Sequence, residues 1–209
     1  MDDKWKVGRV IARPYIGTKE GHFTRTSNRH DYALAPFSKT ALDSLKDAGL
    51  DVIGVGKIPD IFVDQGITRK IKTVSNEDGM NKTIELASDN FNGLAFINLV
   101  DFDAVYGHRR NAAGYGKAIE EFDVQLGELI NELKNDDLLM VTADHGNDPT
   151  YRGTDHTREQ VPLIIYSKQF NEMKVLNDGD SFGIIGSTIC DNFNVKYNGI
   201  GSSILELLK

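Results

Sequence analysis

The chain has 209 residues, of which 40% are hydrophobic and 26% charged, and this suits one substantial domain or one domain plus a small piece of another. A formal net charge of -7 argues against a nucleic-acid partner, and no apolar run approaches the roughly 20 residues of a membrane span. The single cysteine, Cys190, lies in an apolar stretch and is expected to be a buried thiol. These features predict a protein of the reducing cytoplasm with no nucleic-acid or membrane partner.

Residues 1–34 differ in pattern from the rest of the chain. The segment GRVIARPYI alternates like a strand, TKEGHF is typical of a turn, and TRTSNRHDY predicts a returning strand or loop. A lone hairpin of this kind is marginal in water. We therefore expect two units, residues 1–34 as the end of a larger substructure and residues 35–209 as the main unit.

From residue 35 onward, helical and strand patterns alternate. The pattern predicts helices at 37–48, 78–90, 118–133, 183–193 and 202–208, and strands at 51–57, 94–100, 138–144 and 161–167. The segment around 71–79 is predicted to be rich in turns. Such alternation indicates an α/β fold with a mainly parallel sheet flanked by helices. Ligands of such sheets bind beyond the carboxyl ends of the strands.

Side chains of the types that bind metals occur in two segments that follow predicted strands. The segments are VDFDAVYGHRRN and TADHGNDPTYRGTDHT. The candidates are Asp103, His108, Asp144, His145 and His156. Imidazole and carboxylate suit zinc or manganese at neutral pH. Because a single catalytic metal uses about three protein ligands, this set predicts two adjacent metals, an arrangement that stabilises the attacking and leaving oxygens of phosphoryl transfer.

Each segment alone has a plainer interpretation. Asp144 and His145 are compatible with a turn aspartate and a solvated histidine, while Asp103 is compatible with a helix cap and His108 with a surface position. Gly146 is expected to let the chain turn, so that both of its neighbours reach one metal. Five ligand-type side chains at strand ends favour the metal site.

Several further polar residues have two readings. Asp155 either supports the neighbouring ligand or is a turn residue. Arg109 and Arg110 have the geometry to bind phosphate, although pairing with surface acids is favoured for Arg110. Four arginines of the N-terminal unit are equally suited to contact a phosphate or sugar: Arg9, Arg13, Arg25 and Arg29.

Six segments together resemble a known enzyme family. They are GRVIARPYIG, FTRTSNRHDYAL, VGKIPDIF, SNEDGMNKT, NLVDFDAVYGHRRN and TADHGNDPTYRGTDHTREQVPLIIY. They resemble the bacterial phosphopentomutases of the alkaline phosphatase superfamily over nearly the whole chain. The ADHG element alone is shared with cofactor-independent phosphoglycerate mutases, whereas VDFD, YGHR and TSNRHDY in combination favour phosphopentomutase.

The resemblance implies an activity and a ligand set. The family interconverts ribose or deoxyribose 1-phosphate and 5-phosphate, using two Mn²⁺ ions, a phosphorylated threonine and a sugar bisphosphate intermediate. One metal would be held by Asp103, His108 and His156, and the other by Asp144 and His145. The residues matching substrate-contact positions of the family's cap domain are Arg9, Ile11 and Arg25.

The family's enzymes are nearly twice as long as this chain. They begin with a strand that carries a further metal-binding aspartate, a helix that starts at the nucleophilic threonine, and most of a cap domain. We therefore expect a C-terminal portion: an incomplete alkaline-phosphatase-like core with a cap remnant at 1–34. One metal site would be complete and the second partial.

No threonine of this chain stands in the nucleophile's motif, so no catalytic residue is assigned. The chain alone is expected to be inactive and either to aggregate, to self-associate or to pair with the missing N-terminal half. The alternatives are a phosphotransferase like the phosphoglycerate mutases, which a substrate screen separates, and a non-catalytic metal-binding module, which a turnover assay separates.

Overall fold

The computed structural model of the chain describes residues 7–26 and 30–208. Its N-terminal part contains two small antiparallel sheets: β1 (Arg9–Ala12) pairs with β4 (His30–Ala33), and β2 (Tyr15–Ile16) pairs with β3 (Thr24–Arg25). The continuous strand predicted for GRVIARPYI is therefore wrong. The break falls at Pro14, which has no N–H to donate to a strand ladder.

The main sheet has three parallel strands. Its central strand, β5 (Asp51–Val55), lies between β6 (Arg69–Ile71) and β7 (Gly93–Ile97). All of β5 after Asp51 is buried, as expected for a strand covered on both faces. The prediction of a buried parallel strand here is confirmed, whereas β6 was not predicted and shares only Ile71 with the segment expected to be rich in turns.

Helices flank this sheet, which confirms the α/β architecture. They are α1 (Ala41–Asp47), α2 (Ile58–Ile61), α3 (Asn76–Ser88), α4 (Ala112–Glu132) and α5 (Gly183–Asn192), followed by a 3₁₀ turn at Leu205–Leu208. The closing helix predicted at 202–208 is thus a single short turn. Of the helices within 7–26 and 30–208, none combines the length and apolarity needed to cross a bilayer.

The start of α1 is set by a capping box and not by the apolar pattern. The hydroxyl of Thr40 accepts from the Asp43 N–H at 3.3 Å, and the Thr40 N–H donates to the Asp43 carboxylate at 2.8 Å. Phe37, which the helix predicted at 37–48 includes, lies before the cap and is fully exposed. Gly49 follows the helix with φ +81°, as expected of a C-terminal stop.

A second strand pair lies apart from the parallel sheet. β8 (Leu139–Thr142) and β9 (Leu163–Tyr166) pair antiparallel, although the alternation of helices and strands predicted parallel neighbours. The segment between them is described throughout and contains no helix, and a parallel pair requires a crossover connection, usually helical. The chain instead turns back directly, and the loop from 143 to 162 carries three of the predicted metal ligands.

The predicted division into residues 1–34 and 35–209 stays a prediction. Strand β4 ends at Ala33 and α1 begins at Ala41, so the boundary predicted between residues 34 and 35 lies in the connection between them. The assignment of residues 1–34 to a cap domain stays a prediction.

The single cysteine is buried, as expected. Cys190 is 1% exposed within α5, and burial raises the pKa of its thiol.

Candidate metal centre

The first ligand segment forms a π-helical turn at Phe102–Gly107, where a loop was expected. The His108 N–H donates to the Asp103 carbonyl at 2.9 Å, which is the i to i+5 bond of a π turn. Gly107 is buried, and a Cβ atom on it would lie 2.5 Å from Asn147 Nδ2. The absence of a side chain at this position therefore lets the second ligand segment approach the first.

The second ligand segment folds back on itself through a single bridge. Gly146 pairs antiparallel with Thr157, whose N–H donates to the Gly146 carbonyl at 3.1 Å. This pairing brings His156 beside His145. The chain bends at Asp144 and His145, just before Gly146, and the φ of Gly146 is not left-handed. The glycine also provides space, since a Cβ atom would lie 2.3 Å from the Glu159 side chain.

The structure brings four of the five predicted ligands together. Each carboxylate oxygen of Asp103 faces one histidine: His108 Nε2 is 3.3 Å from Oδ2, and His156 Nε2 is 3.3 Å from Oδ1. The rings of His145 and His156 stack with centroids 3.6 Å apart, and those of His108 and His156 with centroids 4.9 Å apart. Ligand atoms of Asp103, His145 and His156 all lie within 4.8 Å of one another.

Asp144 lies at the margin of this group. One of its carboxylate oxygens is 3.6 Å from His145 Nε2, and its side chain is 70% exposed. Asp144, His145 and His156 line an open cleft of about 360 Å³. His145 therefore lies between two groups: it is grouped with Asp103 and His156, and it also faces Asp144, with which the family resemblance pairs it.

The hydrogen bonds around these side chains fit a metal centre. His108 Nδ1 is 2.5 Å from the Thr154 carbonyl, and because a carbonyl only accepts, Nδ1 is the donor of this hydrogen bond. An imidazole whose second nitrogen donates to a carbonyl is the usual arrangement of a metal-binding histidine. Carboxylate and imidazole donors at this spacing suit a divalent ion such as manganese or zinc.

Two residues of the site have roles that the sequence did not indicate. Asn147 is 7% exposed and donates from Nδ2 to Asp103 Oδ1 at 2.6 Å, which orients the carboxylate. Arg110 donates to backbone carbonyls of both ligand segments and to the Asn147 side-chain oxygen, so the pairing with surface acids favoured for it is wrong. A side chain that binds backbone carbonyls leaves no pattern of partner residues in the sequence.

Nearby polar side chains are explained by local structure. Asp101 accepts from the Asn76 N–H at 2.7 Å, and its own N–H donates to Asn76 Oδ1 at 2.9 Å, which joins the start of the π turn to α3. The hydroxyl and N–H of Thr150 both donate to Asp148 at 2.7 Å and hold the pKa of this carboxyl below its usual range. Burial, and then the negative charge of Asp103, raise the pKa of the Tyr115 phenol.

The predicted substrate-binding residues lie in the N-terminal sheets. Arg9 and Ile11 are in β1, where Arg9 is exposed and Ile11 is half-buried. Arg25 is in β3, but its side chain lies outside the described part of the structure, as does Arg29 altogether. Their contact with a substrate stays a prediction.

The chain is similar to known proteins over most or all of its length. Residues 12–197 match the Metalloenzyme superfamily. The chain is 59% identical over 210 residues to phosphopentomutases of Clostridium botulinum (strain Alaska E43 / Type E3) and of Agathobacter rectalis, and 56% identical to that of Clostridium tetani (strain Massachusetts / E88). Each alignment covers 100% of this chain and 53% of the relative. The chain therefore spans about half the length of the curated relatives it matches.

Proposed function

The chain belongs to the Metalloenzyme superfamily, and from this premise we propose that it forms the metal-binding part of a phosphopentomutase. Such an enzyme interconverts ribose or deoxyribose 1-phosphate and 5-phosphate. The observation that carries the proposal is the convergence of Asp103, His145 and His156, whose ligand atoms lie within 4.8 Å of one another. The similarity to phosphopentomutases along the whole chain supports the reaction class.

The proposed centre uses this chain's side chains to hold cations and to receive a phosphate. A bound divalent cation stabilises the negative charge that develops on a transferring phosphoryl group. Asp103 presents two oxygens in different directions, and Asn147 fixes the orientation of one of them. The open cleft beside His145 and His156 offers a phosphate group access to the cations.

We assign two Mn²⁺ ions to the complete enzyme. Asp103, His108 and His156 supply three ligands to the first, which matches the usual number for a catalytic metal. Asp144 and His145 supply two ligands to the second, which is therefore expected to bind more weakly. Arg9, Ile11 and Arg25 are proposed to contact the pentose phosphate.

This polypeptide alone is proposed to have no mutase turnover, because none of its threonines stands in the nucleophile's motif. The expected partner is a polypeptide that supplies this motif, such as the N-terminal half of the relatives. The strand edges support such pairing: among the described residues, β7 pairs only with β5, and β8 pairs only with β9. Both strands precede a ligand segment, since Asp103 follows β7 and Asp144 follows β8.

Metal titration tests the centre itself. We expect the chain to bind Mn²⁺ and Zn²⁺ in calorimetric titration, and His156→Ala to weaken binding by at least about tenfold because one ligand is lost. His22→Ala is the matched control, since His22 is an exposed residue of the N-terminal part. Equal affinities for both variants would contradict the proposed centre.

Turnover assays test the reaction. The chain should not interconvert ribose 1-phosphate and 5-phosphate alone, and should do so with Mn²⁺ after the N-terminal half of a relative is added. Turnover of phosphoglycerate in the same mixture would instead support the related mutase class. Metal binding without turnover in any mixture would support a non-catalytic metal-binding module.

A cytoplasmic location is part of the same proposal. A lone cysteine that is buried in α5 is typical of proteins of a reducing compartment. Fractionation of the native host, with detection of the chain by antibody, would test the location.

A further inference from the structure

We propose that Arg110 is a positioning residue that fixes the two ligand segments relative to each other. The inference rests on the proposed metal centre and extends it to a residue that does not bind the metal. Arg110 follows the π turn, and its guanidinium extends into the loop that carries His156. Removing it should therefore misplace the ligands while leaving the sheet intact.

The guanidinium of Arg110 contacts five oxygen atoms with all three of its nitrogens. Nε donates to the Gly153 carbonyl at 2.5 Å and Nη2 to the Asp155 carbonyl at 2.6 Å. Nη1 lies 2.7 Å from Asn147 Oδ1, 2.7 Å from the Asp148 carbonyl and 3.1 Å from the Gly107 carbonyl. The planar guanidinium, with five N–H groups in fixed directions, is suited to such a set.

Three of the backbone acceptors stand directly beside a metal ligand or its hydrogen-bond partner. Gly107 precedes His108, Asp155 precedes His156, and Gly153 precedes Thr154, whose carbonyl accepts from His108.

The side-chain acceptor reaches Asp103. Asn147 receives a hydrogen bond from Arg110 through Oδ1 and donates through Nδ2 to Asp103 Oδ1. One guanidinium is thus connected to Asp103, His108 and His156.

The backbone of Arg110 supports a specific role. Its φ is +53°, a left-handed conformation that residues other than glycine rarely adopt and that persists where surrounding contacts impose it. Every guanidinium nitrogen is already engaged with protein oxygens, so a phosphate has few donors left to bind. Arg109 is exposed and is the matched control for charge and position.

The test compares metal affinity among four variants of this chain. Arg110→Ala, Arg110→Gly and Arg110→Lys are titrated with Mn²⁺ beside Arg109→Ala, and thermal unfolding is measured without metal. Glycine at 110 removes the side chain without straining the left-handed backbone, so it separates loss of the guanidinium from loss of folding. Lysine keeps the charge but not the planar set of donors.

We expect all three Arg110 variants to lose about 10- to 100-fold in affinity, the range seen when supporting partners of metal ligands are removed. Arg109→Ala should bind as the unmodified chain does. The absorption spectrum of bound Co²⁺ should change for Arg110→Gly and not for Arg109→Ala, because ligand geometry is altered and not merely stability. Affinities and spectra equal to those of Arg109→Ala would overturn the inference.

A metal-free measurement distinguishes this inference from the proposed function. In the apo chain, the backbone amide signals of the loop around Gly153 and His156 should shift in Arg110→Gly and not in Arg109→Ala, because the hydrogen bonds from the guanidinium to this loop are lost. If the unmodified chain bound no metal, the proposed centre would fail, while these spectra would still decide the role of Arg110. Unchanged loop signals in Arg110→Gly would overturn it.

Discussion

The parallel sheet and the metal centre are stabilised by different interactions. In the sheet region, Leu45, Val52, Ile53 and Val55 are at most 1% exposed and pack against apolar neighbours. In the metal centre, the side chains of His108, His145 and His156 are 31% to 47% exposed and meet mainly polar atoms. The sheet is therefore expected to fold without the centre being correctly arranged.

The two kinds of interaction also differ in the free energy that each contributes. Burial of a large aliphatic side chain contributes about 1.5–3 kcal/mol, whereas a typical hydrogen bond contributes only about 0.5–1.5 kcal/mol net. The many apolar contacts of the sheet sum to a large free energy. The geometry of the metal centre depends on a few hydrogen bonds, so single substitutions there should change affinity more than stability.

The largest expected effect on folding comes from the sheet region. Leu45→Ala should lower the free energy of unfolding by about 2–5 kcal/mol, because it leaves a cavity in a fully buried site. Urea denaturation measures this, with Phe37→Ala as the control at a fully exposed position. The folded fraction should bind Mn²⁺ as before, and a parallel loss of affinity would show that the two regions are coupled.

A substitution at the metal centre should lower metal affinity and have less effect on stability. Gly107→Ala introduces a Cβ atom 2.5 Å from Asn147 Nδ2 and so displaces the group that orients Asp103. We expect an affinity loss of about 10- to 100-fold in calorimetric titration.

The control for this substitution lies on an open helix face. Gly116 is in α4, and a Cβ atom added to it would meet no described neighbour within 4 Å, so Gly116→Ala should leave affinity unchanged. If Gly107→Ala bound metal as tightly as Gly116→Ala, the close approach at Gly107 would have no role in the centre.

A smaller effect is expected at the start of α1. Thr40→Ala removes the hydroxyl that accepts from the Asp43 N–H and should lower the free energy of unfolding by about 1 kcal/mol. Thr40→Ser keeps the hydroxyl and should be close to the unmodified chain. Thermal unfolding of both variants measures the difference, and equal destabilisation by alanine and serine would argue against the cap.

The smallest effect is a pH dependence at Asp43. Burial of this carboxyl acts to raise its pKa, but hydrogen bonds from Gln65 and Thr40 outweigh it, so the pKa is lowered from 3.8. A lowered pKa means that its contribution to stability is present above pH 3.8 and is lost as pH falls through the folded-state value. Asp43→Asn should therefore show a shallower decline in urea midpoint between neutral and strongly acidic pH. An identical decline in both proteins would contradict this assignment.

Much of the scaffold was predictable because burial and backbone structure leave periodic patterns. The apolar run of β5, the stripe of α4 and the stop at Gly49 all correspond to observed elements. The start of α1 was misplaced, because Phe37 continues the apolar spacing although the Thr40 cap excludes it from the helix. Strand β6 was missed, since three residues are too few for a pattern.

The sequence by itself determined the candidate ligands, their place after β7 and β8, and the superfamily to which the chain belongs. Only the tertiary structure decided that the first segment forms a π turn, that His145 stacks on His156, and that Asn147 and Arg110 connect the two segments. The physical reason is that the side-chain contacts of Asn147 with Arg110 and Asp103 join residues 37 and 44 positions apart, while the other contacts of Arg110 reach backbone carbonyls. Every residue offers such a carbonyl, so its use as an acceptor is specified by the fold alone.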